Sequence, residues 1–338
     1  MNLTISDIAK LANVSKSAVS IVLNNKPGVS EKTRKKVLEI VKKYNYNPSQ
    51  IAQSLVARKT KSIGLIITEI DNPFFTKVMK GVYDTCSESG YTVLIGSSEL
   101  SPQKEKDIIE NFKSKRIDGF IISPLRGEGV DYLYLSNLLK ENFPFVMLRN
   151  VANYTINLVD IDNFKAAYEA VSYLIKNGHE EIAYFSGPVH SGHSIERLEG
   201  YKQALIDNNI KIREEFIIEA GSYLPDGYRT GKKFIAEMRQ LPSAVFCYND
   251  LVAIGLINAL NELHIDVPDR ISIMGFDNID FSEYIKNPLT TVNMPAYEIG
   301  KTAANLLLEQ ISEPSQFLNK KITLEAHLVE RSSCAKRK

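Results

Sequence analysis

The chain has 338 residues, 44% hydrophobic and 24% charged, a globular composition too long for one compact unit and enough for two or three. No apolar run reaches the roughly eighteen residues of a membrane span, and the start Met1-Asn2-Leu3-Thr4 lacks the basic-then-apolar pattern of a secretory signal. The net charge of +1 conceals an asymmetry: residues 1–62 carry twelve Lys/Arg against three acids, a net +9, which leaves −8 for residues 63–338. A basic head on an acidic body is expected when only the head meets phosphate. Cys86, Cys247 and Cys334 are odd in number, widely spaced and without a CxxC pair, which reads as reduced cytoplasmic thiols.

Along the head, Ile5, Ile8, Ala9 and Ala12 recur at the spacing of one helix face, and Thr4 with Asp7 forms a capping-box-like start. Ser15 is placed to cap a second helix with Val19, Val22 and Leu23 inside. The segment Asn24-Asn25-Lys26-Pro27-Gly28 must be a loop. Ser30 then caps a third helix, with Val37, Ile40, Val41 and Tyr44 on its buried face, and Asn47-Pro48 ends the unit. Two short helices around a three-residue turn are the helix-turn-helix layout, whose second helix enters the DNA major groove. Thr4, Ser15, Ser30 and Thr33, short polar residues at helix starts, are candidate phosphate anchors as well as caps.

From residue 61 the pattern changes to apolar runs at 63–67, 91–95, 119–122, 145–148, 182–185, 244–248 and 271–274, with a last strand region at 322–330. Helical stretches separate them at 73–89, 102–115, 164–177, 195–208, 227–238, 251–263 and 297–308. Such alternation means parallel sheets covered on both faces, dividing near residue 160 into two doubly wound subdomains. In such sheets ligands bind outside the carboxyl ends of the strands, and two facing halves make a cleft for a small molecule. The sequence holds no G-x-S-x-G, H-E-x-x-H, Walker or dinucleotide-binding motif, and the H-x-x-H of His190 and His193 has no carboxylate or thiol cluster around it. No catalytic residue, metal site or cofactor is therefore expected.

These residues resemble the lactose/galactose repressor family of bacterial transcription regulators along nearly the whole chain. The resemblance is carried in the head by Thr4-Ile5-x-Asp7-Ile8-Ala9, Ala12-Asn13-Val14-Ser15, Val19-Ser20, Val22-Leu23-Asn24, Val29-Ser30, Thr33-Arg34, Tyr46-x-Pro48 and Ala52-x-x-Leu55. In the body it rests on Asn72-Pro73-Phe74-Phe75, Asp162-Asn163, Gly178-His179, Ser194-x-x-Arg197-x-x-Gly200-Tyr201, Asn249-Asp250 and Gly275-Phe276-Asp277-Asn278. It implies a head at 1–47, a hinge helix and linker at 48–60, a first core subdomain of 61–162 plus 292–320 and a second of 163–291 plus 321–333, while the residues at 334–338 by themselves read as a disordered tail. The core would be periplasmic-binding-protein-like.

The resemblance further implies a homodimer that reads a near-palindromic double-stranded operator and answers to a small-molecule effector. Lys16, Ser17, Ser20, Ile21 and Asn24 would then face the DNA, with Ala52 and Leu55 of the hinge in the minor groove. Leu55 would wedge between base steps or pack on its dimer mate. The family usually carries Arg where Ile21 stands; Ile reads at most a thymine methyl, or nothing. The cleft would be lined by Phe74, Phe75, Arg197, Tyr223, Asn249 and Asp277, with His193, Ser194 and Ser191 as additions from one loop. This is a set suited to a sugar or sugar acid. Arg149 replaces an acid common in the family, and is either a ligand contact or an ion-pair partner of Asp160 or Asp162. Val78, Val82 and the 251–263 helix are candidate dimer contacts, and no leucine heptads follow the last strand to build a tetramer. The competing reading is an extracytoplasmic-type solute-binding receptor sharing the body fold.

Overall fold

The computed structural model describes residues 3–23, 25–44, 46, 59–125, 130–151, 154–188, 191–313 and 319–337. The chain forms two compact units, Met1–Lys61 and Ser62–Lys338. The expected hinge residues Ala52 and Leu55, and Asn24 of the head, lie outside the described residues.

The first unit holds helices α1 (Ile5–Ala12), α2 (Lys16–Leu23) and α3 (Glu31–Lys43). Thr4 and Asp7 close a reciprocal capping box that satisfies donors the first turn leaves open. The three-residue turn is possible because Asn13 takes the left-handed conformation at φ 52°, which Asn tolerates better than most residues. Ser15 Oγ accepts from the Ala18 backbone N–H at 3.1 Å, and Ser30 Oγ from that of Thr33 at 3.2 Å, so both expected caps are formed. Ile8, Ala9, Ala12, Val19, Val22 and Val37 form the core. Tyr44 departs from expectation: as the C-cap of α3 it turns outward, and Tyr46 packs against the core instead.

The second unit contains two six-stranded sheets. The first comprises β1 (Ser62–Ile67), β2 (Thr92–Ser97), β3 (Gly119–Ile122), β4 (Phe145–Met147), β5 (Leu158–Ile161) and β11 (Lys321–Leu324), in the order β11-β5-β4-β3-β1-β2 and parallel throughout. The second comprises β6 (Ile182–Ser186), β7 (Ile217–Glu219), β8 (Ala244–Cys247), β9 (Ser272–Asp277), β10 (Thr290–Asn293) and β12 (His327–Val329), in the order β12-β10-β9-β8-β6-β7. Only β12 runs antiparallel to its neighbour there. Helices α4 (Pro73–Glu88), α5 (Pro102–Ser114), α6 (Leu133–Lys140), α7 (Asn163–Lys176), α8 (Gly192–Asp207), α9 (Leu224–Glu237), α10 (Asp250–Glu262) and α11 (Ala296–Ser312) cover the sheets. The central strands are apolar on both faces because helices bury both, which is why they read as continuous runs.

Several expectations are corrected. β5, β7, β10 and α6, three to eight residues long, add to the expected elements. The boundary drawn at 320/321 falls one strand early: Lys321–Leu324 pairs with Leu158–Ile161 in the first sheet, and the chain changes sheets between Leu324 and His327. The tail is docked rather than disordered. His179 Nε2 is 3.0 Å from the Ala335 carbonyl, Ala335 N–H donates to Ser272 Oγ at 3.0 Å, and Arg337 N–H donates to the Asn177 carbonyl at 2.8 Å. Val78 and Val82 are fully buried between α4 and α11, and α10 packs against α9, so these residues serve the protomer's own core.

Small residues let α4 and α11 meet backbone to backbone. A Cβ at Gly81 would lie 2.1 Å from the Tyr297 carbonyl oxygen, and one at Gly300 2.1 Å from that of Val78. Gly81→Ala must therefore push the helices apart, at a cost of about 1–3 kcal/mol typical of overpacking. We expect thermal denaturation to show a melting temperature several degrees lower; an unchanged midpoint would contradict this close approach.

Candidate functional site

On the first unit, Thr4, Ser15, Lys16, Ser17 and Ser30 are exposed, while Ser20, Ile21 and Thr33 are half-buried. Lys16, Ser17 and Ser20 thus share the outward side of α2, whose inward side is Val19 and Val22. Ile21 lies beside Gly28, so part of its surface packs against the turn after α2. Arg34 donates to the Lys26 carbonyl at 2.6 Å and to Asn25 Oδ1 at 3.1 Å, which fixes that turn.

On the second unit, the carboxyl ends of strands from both sheets meet around a cavity of about 470 Å³, part of it open to solvent. The first sheet contributes Thr68 and Glu69 after β1, Asn72, Phe74 and Phe75 at the start of α4, Leu100, Ser123 and Pro124 after β3, and Arg149 after β4. The second contributes Ser191, His193 and Arg197 around the start of α8, Tyr248 after β8, Asp277 at the end of β9, and Met294 after β10. Asn72 caps α4 by accepting from Phe74 N–H at 3.0 Å, and the Phe74 and Phe75 rings meet edge-on at 5.1 Å.

Arg197 is the centre of this arrangement. Only 2% exposed, it donates from Nε to Asn163 Oδ1 at 3.0 Å and from Nη1 to the Tyr248 carbonyl at 2.5 Å, and its Nη2 lies 3.4 Å from Met294 Sδ. Its guanidinium covers the Phe276 ring at 3.6 Å and sits 3.7 Å from the Asp277 carboxylate. Burial pushes the Asp277 carboxyl well above its ordinary range and Arg197 pulls it back. The backbone of Asp277 has φ 109°, a conformation rare for any residue with a Cβ, and such strain concentrates at ligand sites.

Arg149 faces both the cavity and Asp160. Burial raises the Asp160 carboxyl to about 7, and the Arg149 charge is the largest opposing influence. Asp162 instead caps α7, accepting from Lys165 N–H at 2.8 Å. Glu69, 4% exposed, accepts a hydrogen bond from Ser222 Oγ and is bonded by the Tyr223 hydroxyl; burial holds its carboxyl above the ordinary value.

Of the expected cleft residues, Phe74, Phe75, Arg149, His193, Arg197 and Asp277 line the cavity together with Ser191. Three do not. Asn249 is used as the cap of α10, accepting from Val252 N–H and donating to the Ser222 carbonyl, both at 2.9 Å. Ser194 Oγ donates to the Gly187 carbonyl at 3.0 Å, and Tyr223 bonds the wall residue Glu69 without itself lining the cavity. Sequence reasoning missed Glu69, Asn72, Ser123, Tyr248 and Met294. Thr68–Glu69, Ser123 and Tyr248 each follow directly on an apolar strand, so the rule that ligands sit at strand carboxyl ends was a usable signal.

Comparison with known proteins adds the family. Residues 4–49 match the model for bacterial regulatory proteins of the lacI family, and residues 171–334 match a periplasmic binding protein-like domain. The HTH-type transcriptional repressor PurR of Histophilus somni (strain 2336) is 36% identical over 314 residues, 92% of either chain. The chain belongs to the lacI family of bacterial regulatory proteins. Among solved structures, the lac repressor dimer bound to operator and an anti-inducer superposes with a TM-score of 0.89 at 24% identity, over 99% of this chain and all of that one. A LacI family regulator from Enterococcus faecium with bound ribose superposes at 0.73 with 29% identity, over 82% of this chain and all of that one. This member of the family is a DNA-binding transcriptional repressor, and the solute-receptor reading gives way to it. Among the described residues no helix is long and apolar enough to cross a membrane.

His193 supplies a pH test of the site. Burial, then the charges of Arg149 and Arg197, hold its imidazole well below the ordinary 6.5. The unfolded chain takes up a proton that the folded chain refuses, so this group destabilises folding increasingly as pH falls below about 6.5 and is silent above it. His193→Gln should therefore lose less stability than the native chain between about pH 7.5 and pH 5 in denaturant titrations. Parallel losses in the two proteins would show that the imidazole titrates normally.

Proposed function

We propose that this repressor binds a near-palindromic operator as a homodimer in the cytoplasm, and that a sugar or sugar acid in the cavity controls its operator affinity. The observation that carries the ligand class is the cavity wall, where the guanidiniums of Arg149 and Arg197 stand with the rings of Phe74 and Tyr248. Aromatic faces suit sugar C–H surfaces, and a guanidinium fork suits a carboxylate or phosphate through charge-assisted paired hydrogen bonds. The ribose in the Enterococcus faecium relative supports a sugar-sized occupant. The same ring faces also accept a planar purine base, which is the competing occupant.

Calorimetry with matched neutral sugars, uronates, sugar phosphates and purine bases separates these readings. We expect acidic sugars to bind tighter than their neutral counterparts, and Arg149→Leu to remove most of that preference. Tighter binding of a neutral sugar or a purine, or an indifferent Arg149→Leu variant, would overturn the acidic-sugar reading.

For the DNA arm, the +9 of residues 1–62 implies operator affinity that falls steeply with salt, because each neutralised phosphate releases counterions. Fluorescence anisotropy across a salt series checks this, and binding that is flat in salt would refute it. Ile21→Arg should change the preferred operator by roughly 1–3 kcal/mol of discrimination at one base pair, the worth of a bidentate guanine contact. In vitro selection that returns one identical site for both proteins would show that position 21 reads nothing.

A further inference from the structure

The Glu69 carboxyl has no role in the reading above, yet it lies on the cavity wall and is almost wholly buried. It follows β1 of the first sheet, whereas both hydroxyls that bond it, Ser222 and Tyr223, lie between β7 and α9 of the second. The contact therefore spans the cleft. Ser222 is itself only 2% exposed, and its carbonyl is held by Asn249 at the cap of α10. Glu69 is likewise anchored, by Asn72 at the cap of α4. Each end of the contact is thus tied to the first turn of a helix packed on its own sheet.

We infer that Glu69, Ser222 and Tyr223 form a clasp that holds the two subdomains of the second unit together beside the cavity through protein groups alone. A second bridge across the same cleft joins Lys77 Nζ to Asp280 at 2.6 Å, but its side chains are 39% and 78% exposed. Exposed pairs contribute little, whereas a buried hydrogen bond to a charged or ionisable group is among the stronger ones. The groups facing Glu69 favour a breakable contact: Glu99 and Asp277 are like charges, and Tyr248 adds no cation. Opening the clasp frees one acceptor on the first subdomain and two hydroxyls on the second. An effector that displaces this contact leaves the three groups to itself or to water, so Glu69 acts as a positioning residue for closure. The clasp stands whether or not the occupant is a sugar.

The test uses the full-length protein without effector. Spin labels at Lys106→Cys on α5 and Lys233→Cys on α9, in a Cys334→Ser background, report the separation of the subdomains by double electron–electron resonance. Diluted into excess unlabelled protein, so that a dimer carries one labelled protomer, the native clasp is expected to give one narrow distance distribution. Glu69→Ala and Ser222→Ala should each broaden it towards longer distances, and the double variant should broaden it no further than Glu69→Ala, because Glu69 is the acceptor of both bonds. Glu69→Gln keeps an acceptor and should restore the narrow distribution, a rescue that loss of folding cannot mimic. Lys77→Ala should have a smaller effect. A Glu69→Ala distribution identical to the native one, additive broadening in the double variant, or failure of Glu69→Gln to rescue would overturn the clasp.

Discussion

The burial of Arg197 is the constraint on which the second unit depends. A guanidinium cannot lose its charge, and desolvation costs several kcal/mol unless partners surround it. Here the partners are five residues from four places: Asn163 at the start of α7, Tyr248 after β8, Phe276 and Asp277 at the end of β9, and Met294 after β10. Two of these, Asn163 and Met294, sit where the chain passes between the subdomains. One charge thus ties the strand ends of one sheet to the connections leading to the other. Removing one member of such a group strands the rest, which is why changes here exceed the worth of any single contact.

That constraint explains other features of the site. The unusual backbone of Asp277, a conformation that costs of order 1–3 kcal/mol, places its carboxyl 3.7 Å from Arg197. His193 is kept uncharged beside two arginines and bonds Asn163, the residue that also receives Arg197. The cavity is therefore a place where positive charge is held by design of its walls while nearby carboxyls, Asp160 at about 7 among them, are driven towards protonation. The first unit needs no such device. Its small core of Ile8, Ala9, Ala12, Val19, Val22 and Val37 leaves most polar side chains outside, where the charge of the head can act on a partner.

How far the sequence could be read varied with the physical kind of signal. Helices of the head were legible because their caps are local: Thr4 with Asp7, Ser15 with Ala18 and Ser30 with Thr33 each act within three residues. Long strands were legible because burial on both faces leaves unbroken apolar runs. Tyr44 fits the helical period of the buried face although α3 ends at Lys43, so periodicity alone does not show that it turns outward. The tail was misread for a related reason. Nothing in Cys334-Ala335-Lys336-Arg337 is apolar enough to announce packing, since it is held through backbone groups by His179, Ser272 and Asn177.

By itself, then, the sequence determined the basic head, its three helices, the two-sheet body and seven of the residues that line the cavity. The head, its helices and the sheets follow from short-range rules of capping, periodicity and charge, whereas the cavity residues came only with the family resemblance. Only the tertiary structure decided that Lys321–Leu324 belongs to the first sheet, that Asn249 is a cap rather than a cavity wall, and that Glu69 reaches Ser222 across 153 positions of chain. Those outcomes depend on which strand ends face one another in space. No local pattern encodes that, because pairing across a cleft places no periodic demand on the residues that make it.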